Sequence, residues 1–385
     1  MTAYFFVQPL DVLMIRGNKS FGGAGQHGEA IMPPWPSLFA GAFRSALLGK
    51  DAAQLARFAN GEKLPSTLGD VLGTPAQPGS FAINWLSLAS HSAPTTKADT
   101  IGNVTPAVPL PADLIAFDDA NTRLVALEPA TSPTGSAMAG ELPLSAQLRV
   151  AKQIKPEIGH WLDGAGLAAH LAGALPASTQ KTTDLYQRET RLGIALDTGS
   201  RTADEGALYT TEAITFNVRA GFLVGIEGDG GQLPDSGLLR LGGDGKGATF
   251  TRCDFSPSAA PPGIAPNRRF RLILGTPGIF AAGWLPDGVT RHGERDYRLL
   301  GDGFSARLAC AVVPRFDIIS GWNLALQQPK TAQRVAPAGS VYWFDQFEGN
   351  AGKLAEWVSG GLWSDNHDKQ RRAEGFNRAW LGTWN

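Results

Sequence analysis

Tyr4-Phe5-Phe6-Val7-Gln8-Pro9-Leu10 is an apolar run that stops at a proline, and Phe270-Arg271-Leu272-Ile273-Leu274 followed by Gly275-Thr276-Pro277 repeats the design 266 residues later. Both read as short strands leading into a turn. After the first, Arg16, Lys19 and Phe21 lead into a glycine-rich loop of Gly22, Gly23, Gly25 and Gly28. Pro33-Pro34-Trp35-Pro36 then delivers the chain to Ser37, which is the expected helix N-cap. Leu38, Phe39, Ala42, Phe43, Ala46 and Leu47 recur at helical spacing up to Gly49, an expected stop. That stripe faces a core. The opposite side presents Ser37, Gly41, Arg44 and Ser45, a small and singly basic surface over which an anionic backbone could lie closely.

Each half also carries a glycine loop between apolar runs: Leu241-Gly242-Gly243-Asp244-Gly245-Lys246-Gly247 in the first, Gly375-Phe376-Asn377 in the second. Two related α+β domains are therefore expected, residues 1–256 and 267–385, joined where Ser, Ala, Pro and Gly crowd between 257 and 266. Between about 60 and 185 the first half swells with Ala, Gly, Pro and Ser. It reads as a loop-rich insertion with helical patches at 144–153 and 167–175. Ala207 to Val218 and Phe222 to Ile226 read as strands.

The 385 residues carry 34 Lys+Arg against 35 Asp+Glu, a formal net charge of −1. A nucleic-acid binder working by bulk attraction is excluded, so any RNA must be held by placed residues, with help from partners. Cys253 and Cys310 stand without CxxC or His spacing, which argues for buried, inert thiols rather than a zinc site or a disulfide scaffold. No eighteen-residue apolar run and no signal-peptide pattern occurs, so a cytoplasmic protein is expected.

None of the six histidines falls in HExxH, and neither a GxSxG elbow nor a Walker loop is present. Gly242 to Gly247 lacks phosphate-loop spacing. It is either a tight turn or a bare backbone that lets phosphates approach beside Lys246. His27, near Lys19, is the best-placed residue for metal-independent RNA cleavage, although a lone loop histidine is far more often a solvated side chain. Arg188, Glu189, Arg191 and Arg201, with Tyr209 nearby, form either a solvated hairpin with cross-strand ion pairs or a phosphate clamp with a stacking ring. Arg268, Arg269 and Arg271 read as the exposed face of a strand. Six of the ten tryptophans lie from Trp322 onward, and Trp343, Trp357, Trp363, Trp380 and Trp384 are expected in the core or at subunit contacts.

Three segments carry a family resemblance. Pro9-Leu10-Asp11-Val12-Leu13 with Arg16, and Pro36-Ser37 through Arg44, resemble the start of RAMP-superfamily CRISPR proteins. Glu189 to Ile194, Arg201-Thr202-Ala203 and Gly206 to Tyr209 resemble one branch of them. Ser320-Gly321-Trp322-Asn323, Pro329-Lys330 and Pro337 to Phe344 are similar to the 5′-tag-capping subunits of type III-B, or Cmr, effector complexes. The resemblance implies two ferredoxin-like, RRM-type domains whose glycine loops face RNA. It also implies a non-catalytic subunit that grips the 5′ tag of CRISPR RNA and bridges the large signalling subunit to the backbone subunits, with no cofactor and no metal. On that reading the RNA ligands are Arg16, Lys19, Arg44, Ser45, Arg191, Arg201, Lys246, Lys330 and Arg334, with Phe21 and Trp322 stacking on bases. The rivals are a repeat-processing endoribonuclease using His27 and a purely structural adaptor between proteins. Two positions depart from the family: Asn377 where Gly-Phe-Gly is usual, and Gly17 where an acidic residue is common.

Overall fold

The strand Thr2–Pro9 buries both of its faces, which explains why its apolar residues run consecutively instead of alternating. It sits in a computed structural model of the chain that describes residues 2–17, 27–49, 51–92, 101–119, 121–132, 140–150, 155–197, 199–257, 264, 267–323, 326–364 and 368–385. The chain passes back and forth between two compact units. The first comprises Met1–Val104, Thr182–Phe255 and Ile318–Ala332; the second comprises Thr105–Lys181, Ser256–Asp317 and Gln333–Asn385.

In the first unit an antiparallel sheet runs in the order Ala82–His91, Ala220–Glu227, Thr2–Pro9, Gly247–Arg252, Ser236–Arg240. On one face Phe5 and Phe250 meet Phe43, and Phe222 meets Phe39, with ring centroids 4.9 to 5.6 Å apart. Both Phe39 and Phe43 come from the helix Pro36–Leu48. On the other face Phe6, Leu223 and Ala89 pack with Tyr4, Trp85, Cys253 and Phe255.

The helix starts one residue before the expected cap. Pro36 occupies its first turn and Trp35 takes the cap position without a side-chain hydrogen bond. Proline suits that turn because its missing N–H is unpaired there anyway. A good cap contributes about 1 kcal/mol, whereas burying Phe39 and Phe43 contributes roughly 3 to 6 kcal/mol together. Tertiary packing therefore holds this helix in place.

The second unit is built on a six-stranded antiparallel sheet in the order Val289–Gly293, Asp296–Gly301, Phe304–Val312, Val341–Gly349, Phe270–Leu274, Ala379–Thr383. Phe270, Leu272 and Leu274 share a core with Phe304, Leu308, Phe344 and the helix Ala351–Ser359, which supplies Leu354 and Val358. The architecture is α+β, with mostly antiparallel sheets and few helices.

Residues 105–181, expected to enlarge the first domain, pack in the second unit. Leu142 joins the core just described, while Leu144, Ala146 and Leu171 cover the opposite face around Ile273, Cys310, Val341 and Trp343. The helix Gly164–Leu171 overlaps the expected patch at 167–175 and ends four residues before its close. Over 144–150, the described part of the patch expected at 144–153, no helix forms: Ser145–Gln147 is a strand paired with Glu128–Ala130, and Leu144 donates its N–H to the Ala309 carbonyl at 2.9 Å. Pairing partners outside the segment outweigh its helical periodicity.

Arg271 was expected on an exposed strand face, yet it is buried. Its guanidinium donates to Asp113 Oδ2 at 2.6 Å and to the His170 carbonyl, and His170 Nε2 lies 2.9 Å from Asp113 Oδ1. Burial pulls the Arg271 guanidinium below its ordinary range, and the Asp113 carboxylate opposes that shift. The side chain needs the space that Gly382 leaves on the neighbouring strand, where a Cβ would sit 3.2 Å from Arg271 Cγ and Nε.

The second glycine loop is buried too. Gly375, Phe376 and Asn377 are all enclosed, and Asn377 adopts φ 59°. Asparagine tolerates that left-handed conformation. Its amide accepts from the Ile279 N–H at 2.6 Å and donates to the carbonyls of Ile279 and Leu362, both at 3.1 Å. The departure from Gly-Phe-Gly thus replaces a flexible position with a three-way clasp. It is no surface for RNA within this unit.

No helix among the described residues is long and apolar enough to cross a membrane. Burial pushes the Cys253 thiol up to about 11 and the Cys310 thiol up to about 12, so both stay protonated and unreactive at neutral pH.

Removing one member of a buried ion pair costs about 3 to 5 kcal/mol because the remaining charge is stranded. Asp113→Asn is therefore expected to lower the urea midpoint by a change of that size. Glu62→Gln, which breaks the exposed Arg57–Glu62 pair at 3.0 Å, is expected to change stability by less than about 1 kcal/mol in the same measurement.

Candidate functional site

In the first unit three charged segments are joined by backbone hydrogen bonds. The loop after the opening strand is tied to the hairpin Tyr186–Leu196/Ala203–Phe216 by Leu13, which exchanges backbone hydrogen bonds with Ile214 at 2.8 and 2.9 Å. It is tied to the glycine loop by Leu10 N–H to Gly247 O at 3.0 Å and by Gly243 N–H to Met14 O at 2.7 Å.

Gly242 to Gly247 is the tight turn joining two antiparallel strands. Gly242, Asp244 and Gly245 have φ of 82°, 56° and 64°, and a Cβ on Gly242 would stand 2.5 Å from the Met14 carbonyl. Bare backbone here is a requirement of the turn and of its close approach to residue 14.

Lys246 leaves that turn and pairs with Asp11 at 2.6 Å. The Lys246 ammonium, followed by the Val12 N–H and the more distant charge of Arg191, holds the Asp11 carboxyl below the usual carboxylate range. Arg191 donates to Glu189 Oε2 at 3.3 Å, and Glu189 accepts from the Thr215 hydroxyl at 2.5 Å. Thr215 first, then Arg191, lowers the Glu189 carboxyl. Two of the expected ligands, Lys246 and Arg191, thus lie around one carboxylate although 55 positions separate them in sequence.

The hairpin is regular, and its register sorts the side chains by face. Arg191 opposite Thr211 and Gly193 opposite Tyr209 share one face. The Tyr209 ring lies across Gly193, where a Cβ would come within 2.4 Å of it, so the glycine is what lets an aromatic ring cross to the strand that carries Arg191. Arg188 is on the other face, bound to the Ala30 carbonyl at 2.7 Å and to Glu212 at 2.8 Å. Glu212 in turn accepts from the Ala30 N–H at 3.0 Å, fixing the segment that also bridges to Arg16. Arg188 is therefore a strut rather than part of a clamp. The strand His27–Gly28 runs parallel to Thr210 and Thr211.

Other expected ligands lie elsewhere. Arg201 is exposed in the hairpin turn at φ 57°, and Ser45 is exposed on the helix Pro36–Leu48. Arg44, one residue earlier, lies with its guanidinium 5.3 Å from the Phe81 ring centroid. Trp322, 53% exposed, belongs to the two-residue pairing with Gln328–Pro329 that ends at Lys330. Arg334 is in the second unit, 4.9 Å from the Phe316 ring centroid. Lys19 and Phe21 lie outside the described residues.

Sequence reasoning missed Asp11 and Glu212 as partners of the basic residues, whereas Glu189, named in the cluster, pairs with Arg191 along its own strand rather than across the hairpin. Asp11 and Lys246 stand 235 positions apart, and only the pairing of the first strand with Gly247–Arg252 brings them together. Among the described residues no three His, Cys, Asp or Glu side chains are grouped as a metal site would need.

Lys246→Ala is expected to return the Asp11 carboxyl upward toward its ordinary range, followed by carboxyl-carbon NMR titration. The sign follows from linkage: a carboxyl lowered in the folded state stabilises above its unfolded pKa, and that stability disappears as pH falls through the folded value. The variant should therefore lose acid resistance relative to the parent.

Comparison with known proteins agrees with the resemblance. Two solved structures similar to this chain are subunits of the type III-B Cmr-beta complex. With cognate target RNA bound, the match is 13% identical over 98% of this chain and 96% of that one, with a TM-score of 0.49. With cognate target RNA and AMPPnP bound, it is 14% identical over 88% of this chain and 86% of that one, with a TM-score of 0.46. No curated protein matches in sequence. The family described as CRISPR-associated protein (Cas_Cmr3) matches residues 5–384, nearly the whole chain, and the protein belongs to that family.

Proposed function

We propose that this subunit caps the repeat-derived 5′ tag of CRISPR RNA, without cutting it, and bridges the large signalling subunit to the backbone subunits. The observation that carries the RNA-holding part is that Lys246, beside the open backbone of Gly245, and Arg191 both act on Asp11 in the first unit, while Tyr209 shares the hairpin face of Arg191. Cations there neutralise phosphates, the flat ring stacks a splayed base, and uncovered backbone lets the strand approach closely.

The acidic partners fit this role. Exposed ion pairs contribute about 0 to 1 kcal/mol each, so a phosphate displaces Asp11 from Lys246 or Glu189 from Arg191 at small cost. Pairing also keeps the free subunit near neutrality. That accounts for RNA holding by a chain with net charge −1. Neighbouring subunits supply the rest of the binding surface. Arg16, Arg44, Ser45, Arg201, Lys330 and Trp322 are further proposed contacts along the RNA path.

The test is reconstitution of the complex with CRISPR RNA, followed by nuclease footprinting of the 5′ tag. Arg191→Ala with Lys246→Ala is expected to expose the tag and to make the log–log salt dependence of RNA binding shallower by about one per lost cation. Unchanged protection and an unchanged slope would favour a purely structural adaptor. The non-catalytic reading is checked by incubating the purified chain with repeat RNA in chelator. Intact RNA is expected, and cleavage abolished by His27→Ala would overturn it.

A further inference from the structure

The second unit contains a cavity of about 740 Å³ that the tag-capping role does not use. Its size falls within the range of small-molecule sites, roughly 300 to 1,000 Å³. Phe280 and Trp363 form apolar wall, and Asp287, Asp368, Gln333 and Arg334 contribute polar groups.

Each of these polar groups is only partly committed. The Trp363 side chain is 8% exposed, and its indole N–H has no hydrogen-bond partner among the described residues. Asp287, equally enclosed at 8%, accepts from the Ala281 N–H at 3.4 Å and from the N–H and O–H of Ser364, both at 3.1 Å. It meets no cation among the described residues. Asp368 Oδ1 accepts from the Arg371 N–H at 3.0 Å with one lone pair, and no other donor to this carboxylate is found among the described residues. Gln333 Oε1 accepts from Arg371 Nε at 3.1 Å, and its amide N–H groups have no partner among the described residues. One face of the Arg334 guanidinium is covered by Phe316, 4.9 Å to the ring centroid, and the group makes no ion pair among the described residues.

Two carboxylates against one guanidinium make the cavity unfit for a phosphate alone, and a hydrocarbon would strand the polar groups without partners. A flat ring with adjacent donors on one edge and an anionic tail answers both halves. We propose that this cavity binds a guanine nucleotide, the Asp368 carboxylate reading the base edge, Phe280 and Trp363 lining the ring, and Arg334 holding the phosphate. Among the four bases only guanine places two donors, N1–H and the N2 amine, side by side for one carboxylate. Adenine and cytosine set an acceptor beside their amine, and uracil flanks its single N–H with two carbonyls. Either would set a lone pair against the carboxylate. The inference stands independently of tag capping, because its residues lie in the second unit and its test needs no complex.

Calorimetric titration of the full chain with GMP, AMP, CMP and UMP decides it. GMP is expected to bind with a preference of roughly tenfold to a hundredfold, the discrimination a bidentate base contact supplies. Asp368→Asn keeps an oxygen to cap Lys369–Glu374 and is expected to abolish that preference. Arg334→Ala is expected to weaken GMP while leaving guanosine unchanged. Short oligoribonucleotides with one guanine, or with adenine in its place, distinguish the source. Binding of GMP identifies a free nucleotide, and guanine-dependent binding of the oligomer alone identifies RNA. Equal binding of all four nucleotides, indifference to both substitutions, or no guanine-dependent binding in either form would overturn the proposal. So would binding of N-acetylarginine amide in place of GMP, since that would mark a seat for a basic peptide side chain. Arg191 and Lys246 variants should leave GMP binding intact, so failure here and failure of tag capping are separately visible.

Discussion

Asp113, His170 and Arg271 form the constraint on which the second unit depends. A guanidinium and a carboxylate buried together are stable only while each satisfies the other. Asp113 comes from the segment Thr105–Lys181 and Arg271 from a strand paired on both sides, so neither can leave without stranding its partner. His170 completes the cluster through both its ring and its carbonyl. The apolar contacts of Leu142, Leu144 and Leu171 follow the same docking. A buried ionic cluster of this kind specifies one mode of packing more strictly than apolar surface does, since a slipped alternative would leave charges without partners.

The first unit relies on a different constraint. Its central strands bury both faces, and two phenylalanines of one helix cover one side while a smaller aromatic cluster covers the other. That rigid sheet carries the turns from which the charged residues project. Lys246 leaves a strand-joining turn, Arg191 sits in a regular hairpin strand, and Tyr209 is positioned by the glycine opposite it. Basic residues held on strands and short turns, each near a weakly bound acid, make a surface that is locally neutral in the free chain, and the proposed RNA contact rests on exchanging those acids for phosphates.

Strands were legible wherever apolar runs were dense. Phe222 to Ile226 and Phe270 to Leu274 form as read, because a fully buried strand needs little besides continuous hydrophobicity. Ser37 and the patch at 144–153 were misjudged for one reason: local propensity yields to packing and to partners distant in the chain. Arg271 shows the same limit. An arginine alternating with apolar residues on a strand normally marks the wet face, and only Asp113, 158 positions earlier, makes its burial affordable. Asn377, which looked like a loss of flexibility in a glycine loop, proves to be a buried clasp whose positive φ asparagine tolerates.

The amino-acid sequence by itself determined the α+β class, the principal strands, the inert thiols and the family, since these follow from hydrophobic runs, from isolated cysteines and from motifs spread along the chain. Which residues stand together was decided only by the tertiary structure. Lys246 reaches Asp11, Arg191 shares a face with Tyr209, and residues 105–181 join the second unit through pairings that span tens to hundreds of positions. Charge partners and strand register act through space, and nothing in the local pattern of either partner encodes the distance to the other.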